Sequence, residues 1–218
     1  RWKYRMNGEM GIVTVLVSGT PNPFVLKLPL HGRGRRELNA EAEILHQVTD
    51  PQHPLARQSQ LFARVLSEGK FEELDYWAYS VLPGVSGDQL DRGSALAATA
   101  VAGASAFLAA LHSHSTLDAG SLADLVDPVR KAVATLAQND SERGVLDRIA
   151  DEVYQEFGDR FSGAVWSHGD SKLANFMFDP AIANLTGVID WGTGFQPELP
   201  GYDVSFLLVS SAAAASRS

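Results

Sequence analysis

The chain of 218 residues contains no cysteine. Disulfides and thiolate metal sites are excluded, and the redox compartment stays open. Positive charge is in deficit: 18 Lys and Arg stand against 26 Asp and Glu, a net charge of −8. A nucleic-acid binder needs a basic face for phosphate contacts, so no nucleic-acid partner is expected. A neutral or cationic small partner fits this balance. No apolar run approaches a membrane span, and the first residues lack the apolar core of a signal peptide. The expectation is a cytoplasmic chain without membrane contact. It begins at Arg1 rather than Met and closes on a Ser/Ala run from Ser210 to Ser218, as a piece of a longer protein would. Nothing in the sequence signals an oligomeric state.

What is present is core-forming material, 45% apolar, enough for one large or two small domains. Ile12 to Val17 is rich in β-branched residues and reads as a strand, and Phe24 to Leu28 as a second. Ser18 to Pro23 is the turn between them. Trp2 to Met6 supplies an earlier strand, joined through the glycine turn Asn7 to Gly11. Arg35 to Val48 has no Pro or Gly, and Leu38, Ala42, Leu45 and Val48 recur near helical period. Leu61 to Leu66 reads as a strand, Ser67 to Lys70 as a turn, and Tyr76 to Leu82 as a strand stopped by Pro83-Gly84. Residues 1–82 therefore predict an antiparallel sheet with one helix, and Ser80 to Gly87 is the domain boundary.

Residues 83–218 change character. Ser94 to His112 is a long Ala-rich helix in which Gly103 would permit a close helix contact. Leu122 to Ala137 and Arg143 to Phe157 are two more helices, the latter with Ser141 as its N-cap. Three short strands remain: Gly163 to Trp166, Phe176 to Phe178, and Leu185 to Ile189. The fold class is α+β.

Those short strands present Ser167-His168-Gly169-Asp170-Ser171-Lys172-Leu173-Ala174-Asn175 and, further on, Asp190-Trp191-Gly192. Phosphoryl transfer needs a carboxylate to take the proton of the attacking hydroxyl, oxygen ligands for Mg²⁺ and a cation on the phosphates. Asp170, then Asn175 with Asp190, then Lys27 can supply these parts. Asn175 stands at the fifth place after Asp170, the spacing between catalytic Asp and metal-binding Asn in protein kinases. Lys27 inside an apolar strand is either a solvent-face lysine or the phosphate-binding lysine of a kinase small lobe. The second reading requires a helix glutamate. Glu41 lies beside the apolar stripe, Glu43 points further round, and Glu37 lies a turn earlier; Glu41 is preferred. His112 and His114 do not share a helix face, so no metal site is expected there.

HGDSKLANFMFDP followed by LTGVIDWGTG resembles the aminoglycoside phosphotransferase and choline-kinase-like family of small-molecule kinases. FVLKLP resembles that family's Lys strand, ELNAEAEILHQV its Glu helix and YSVLPG its adenine hinge. FLAALHS and GYDVSFLL follow the family in type and order. The resemblance spans about Ile12 to Val209. It implies a two-lobed protein-kinase-like fold, with a nucleotide-binding lobe over 1–82 and a mainly helical catalytic lobe over 83–218 that lacks some of the family's terminal helices. ATP and Mg²⁺ are the implied cofactors and a small-molecule hydroxyl the acceptor.

By the same resemblance Asp170 is the catalytic base, Asn175 and Asp190 bind Mg²⁺, and Lys27 holds the α- and β-phosphates with Glu41 fixing it. The backbone of Ser80 and Leu82 pairs with adenine. The loop covering the phosphates is either that around Ser18 and Gly19 or that around Gly8 and Gly11. His168 braces the loop rather than relaying protons, and Asp203 is a cap or brace. Lys172 departs from the family and matches protein kinases. It either reaches the transferring phosphoryl group or is a solvated loop lysine. Three rivals stand beside this reading. A protein kinase lacks support because the A-P-E signature is absent. A nucleotide-binding pseudokinase differs only in lacking transfer. A hydrolase built on Asp170 and Asp190 leaves Lys27, Glu41 and the hinge without a role.

Overall fold

A computed structural model describes residues 2–7, 11–91, 94–113, 139–157 and 164–215. The predicted helix Leu122 to Ala137 and the tip of the Asn7 to Gly11 turn lie outside them. Strands β1 (Trp2–Asn7), β2 (Ile12–Val17), β3 (Phe24–Pro29), β4 (Val65–Phe71) and β5 (Leu74–Ser80) form one antiparallel sheet in the order β1-β2-β3-β5-β4. Helix α1 (Gly32–Val48) lies on it. His31 caps α1 by accepting the Gly34 N–H, and Thr49 closes it by donating its hydroxyl to the Leu45 and His46 carbonyls. Leu38, Ala42, Leu45 and Val48 are all buried, as the periodicity requires, and Glu41 is buried among them.

The stretch after α1 departs from expectation. Leu61 ends a 3-10 turn (Ala56–Leu61), and Ser67 to Lys70 lies within β4; the reversal comes at Glu72-Glu73. β4 is an edge strand whose side chains from Leu66 to Phe71 are exposed, so it carries no alternation of apolar and polar residues to read. Gly69 looked like a turn residue, yet it lies in the strand beside the Tyr76 ring, where a Cβ would make ordinary contact. Phe62, expected in a strand, is instead an anchor: it is buried, bridges Val188 and packs on Trp191.

Below the sheet lie β6 (Val85–Ser86), α2 (Ala95–Ser113), α3 (Asp140–Phe157), β7 (Val165–Trp166), β8 (Phe176–Phe178), β9 (Leu185–Val188), β10 (Pro197–Glu198) and α4 (Tyr202–Ala215). Two small antiparallel sheets, β6-β8-β9 and β10-β7, carry the loops between them. α3 begins at Asp140, so Ser141 lies in its first turn rather than at its cap. α2 is long and apolar enough to cross a membrane by length and composition, against expectation. Its Ala100, Ala104, Phe107, Leu108 and Leu111 are buried in the protein core with Phe62, Phe176, Val188, Trp191 and Leu207. Among the described residues nothing lies within 4 Å of a Cβ built on Gly103, so none of them makes the close helix contact expected there.

Candidate active site

The site begins at Lys27 on β3, opposite Thr14 of β2 and Trp77 of β5. Its ammonium donates to both Glu41 oxygens at 2.9 Å and to Asp190 Oδ1 at 2.8 Å. The Tyr79 ring lies beneath it, 5.5 Å from centroid to Nζ. Burial works against the charged lysine, but the Glu41 and Asp190 carboxylates outweigh it and raise its pKa above the ordinary value. Lys27 in turn holds the Asp190 carboxyl below the usual carboxylate range, against the cost of its partial burial. Of the three helix acids considered, the structure brings Glu41 to Lys27, and Glu43 is exposed.

The loop from Ser167 to Asn175 is held from outside itself. Asp203, at the start of α4, is fully buried and accepts from the His168 N–H at 2.6 Å and the Gly169 N–H at 3.1 Å. His112, near the end of α2, is the third partner. Its Nδ1 accepts the Gly201 N–H, so Nε2 carries the proton and donates to Asp203 Oδ2 at 3.2 Å. Burial opposes the Asp203 charge, but His112 and the loop N–H groups prevail and lower its pKa. Gly169 adopts φ +80, and a Cβ there would lie 2.7 Å from the Thr193 carbonyl oxygen; both demand glycine. His112 escaped the sequence reading because 91 residues separate it from Asp203.

His168 is buried with both ring nitrogens engaged. Ile189 offers only a carbonyl, 3.0 Å from Nε2, so Nε2 carries the proton and Nδ1 accepts the Asp170 N–H. Burial pushes its pKa down, partly opposed by Asp203 and the Ile189 carbonyl. A neutral imidazole with no free nitrogen braces the loop and relays nothing.

Asp170 and Asn175 meet directly. Asn175 Nδ2 donates to Asp170 Oδ2 at 2.9 Å and to the Asp170 carbonyl at 2.8 Å. Lys172 Nζ donates to the same Oδ2 at 2.6 Å. The Ile189 N–H donates to the Asn175 carbonyl and ties this loop to the next. Asp190 sits there at φ +62, a left-handed conformation that costs about 1–3 kcal/mol for a non-glycine residue. Trp191 holds it, buried with its indole N–H on the Val188 carbonyl and its rings against Phe62 and His168.

The donor set suits Mg²⁺. With its NH₂ committed to Asp170, Asn175 keeps its amide oxygen out of those bonds, and Asp190 keeps Oδ2 outside its bond to Lys27. These are hard oxygen donors. Among the described residues no three acids or histidines gather as a metal cage. Mg²⁺ ordinarily completes its shell with phosphate oxygens and water.

At the far end of β5, the Ser80 N–H is bound to the Arg64 carbonyl and the Ser80 hydroxyl accepts from the Arg64 N–H. The N–H and the hydroxyl of Ser80 are thus both committed to Arg64. Leu82 packs over Gly187 of β9, where any side chain would collide with it.

The family model described as phosphotransferase enzyme family matches residues 13–217. Among solved structures, aminoglycoside phosphotransferase APH(3'')-Id from Streptomyces rimosus is 20% identical with a TM-score of 0.66, over 98% of this chain and 78% of that one. That protein is also solved with ADP and streptomycin. The GDP complex of wild-type aminoglycoside 2'-phosphotransferase-IIIa is 17% identical with a TM-score of 0.67, over 99% and 77%. Choline kinase LicA from Streptococcus pneumoniae is 17% identical with a TM-score of 0.58, over 99% and 72%. At these identities the likeness is one of fold. Among curated proteins none matches in sequence.

Proposed function

The chain belongs to the phosphotransferase enzyme family, and from that premise we propose that it transfers the γ-phosphoryl group of ATP to a hydroxyl of a small molecule: an aminoglycoside, another sugar or an amino alcohol. The observation that carries this reading is the meeting of Lys27, Glu41 and Asp190 around one ammonium. A hydrolase would have no need of a buried lysine so held.

Lys172 and Asn175 fix Asp170 through Oδ2, which leaves Oδ1 to accept the acceptor's proton. As the acceptor oxygen bonds to the γ-phosphorus, its proton passes to Asp170. The bond from phosphorus to the bridging oxygen breaks, and ADP leaves with those electrons. Lys27 holds the α- and β-phosphates, oriented by Glu41. Asn175 and Asp190 would hold Mg²⁺, which would neutralise charge on the phosphate oxygens when bound. Lys172 is the residue that would exchange Asp170 for an oxygen of the transferring group.

Adenine would take the Ser80 carbonyl and the Leu82 N–H. Phe24 pairs with Ser80, so the Ser18–Gly19 turn belongs to the hinge end of the sheet, and Asn7 pairs with Ile12 at the other end. A nucleotide anchored at the hinge runs its phosphates away from it, which supports the turn containing Gly11 as their cover. Residues 1–82 and 83–218 then form the two lobes, and the cytoplasm, where ATP is abundant, is the compartment. An ATP-consumption screen over hydroxyl-bearing acceptors tests the assignment. Nucleotide binding without turnover on any acceptor would instead favour a binding domain without transfer.

A further inference from the structure

Glu37 lies one helical turn before Glu41 on α1, on the same side of the helix. It does not reach Lys27 by hydrogen bond. Instead it lies on the Asp190 loop: a Cβ built on Gly192 would be 2.5 Å from Glu37 Cγ, 2.9 Å from Oε1 and 3.1 Å from Cδ. Gly192 is not among the glycines with positive φ. Its backbone would accept any residue, and it is the Glu37 side chain that takes the space. Trp191, just before it, is fixed by the Val188 carbonyl and the aromatic core. The stretch that follows Asp190 is therefore held to the core through Trp191 and lies against α1 through Gly192.

We propose that Glu37 is a positioning residue for Asp190, acting through Gly192. One rigid helix then places both partners of the ion pair. Glu41 sets the Lys27 ammonium, and Glu37 sets the height of the loop that carries Asp190. The 2.8 Å Lys27–Asp190 contact is the result. The inference rests on the reading of Asp190 as a Mg²⁺ ligand.

The test compares ATP affinity with and without Mg²⁺ by calorimetry in four proteins: wild type, Gly192→Ala, Glu37→Ala, and the double variant, with thermal midpoints measured alongside. Gly192→Ala should lose about 10- to 100-fold in the Mg²⁺-dependent affinity, the range for residues that orient a metal ligand, with little change in Mg²⁺-free binding. Glu37→Ala alone should lose several-fold in the Mg²⁺ increment, with little change in Mg²⁺-free binding, and the double variant should match Glu37→Ala rather than wild type, because the collision is gone and so is the support. Glu37→Gln, which keeps Cγ in place, should stay near wild type in the Mg²⁺ increment. If Gly192→Ala does not fold, recovery of folding in the double variant, with the Mg²⁺ increment of Glu37→Ala, supports the contact. A wild-type Mg²⁺ increment in Glu37→Ala, or in Gly192→Ala, overturns it. A wild-type protein that binds ATP without any Mg²⁺ increment overturns the metal reading itself, and this inference with it.

Discussion

Asn175 directs both hydrogens of its side-chain amide at Asp170, one to the carboxylate and one to the backbone carbonyl. The second bond does not depend on the aspartate side chain. Asp170→Ala should therefore keep the loop in place, fold, and bind nucleotide. Transfer should fall by about 10²- to 10⁴-fold, the usual share of a general base. Retained turnover would remove Asp170 from its role. Asp190→Ala should differ in kind, weakening Mg²⁺-nucleotide binding itself.

Lys27 and Glu41 form a pair in which the glutamate is buried. Lys27→Met leaves that carboxylate without its cation, and one-sided removal from a buried pair costs about 3–5 kcal/mol. Denaturant unfolding should show a loss of that order. A Lys27→Met/Glu41→Met protein should recover much of the stability while still failing to bind ATP. Equal stability of wild type and the single variant would show that the pair is well hydrated.

His168 should be neutral throughout the physiological range. Its folded pKa lies below that of the unfolded chain, so the unfolded state takes up protons first. Stability attributable to it is complete above the unfolded value of about 6.5 and declines as pH falls through that value. The imidazole signals of His168, followed by NMR, should not titrate near pH 6.5. A midpoint there would contradict the double backbone engagement.

Asp203 makes the opposite kind of contribution, as a buried charge that is satisfied. Its depressed pKa means stabilisation that is present above about pH 3.9 and fades as pH falls towards the folded value. Asp203→Asn should lose about 1.5–3 kcal/mol for the charge-assisted bonds it weakens. Its stability should also vary less with pH on the acid side. His112→Ala should reproduce part of the loss, because it removes one donor of three. Additive losses in the double variant would sink the view that the two residues act as one unit.

The parts of the site that were legible are those whose chemistry is local in sequence. Asp170 and Asn175 share one loop, and Lys27 and Glu41 sit on adjacent elements whose strand and helix periods are clear. Bonds that span the chain left no such trace. His112 had no role in the sequence, its metal pairing with His114 being ruled out by helix geometry, until its contact with Asp203 supplied one. Glu37 looked like a spare acid because its partner is a glycine, which has no side chain to advertise a contact. β4 failed for the converse reason: an exposed edge has no buried face, and without burial a strand has no pattern. The apolar α2 was discounted as a membrane span because alanine masks its hydropathy to the eye, yet alanine is what allows Ala100 and Ala104 to sit fully buried.

The ion pair under the sheet has a consequence for how the cleft would load. Lys27 already has an anion at each of its donors, so it offers no vacancy to a phosphate. Glu41 is buried and stays; Asp190, half exposed, is the partner that can be exchanged. An arriving phosphate oxygen would then swap places with a carboxylate rather than fill a gap. The displaced carboxylate would come free at the moment a cation bound to that phosphate needs a ligand. Asp190 would thus serve Lys27 as a counter-ion held in place until a phosphate takes over.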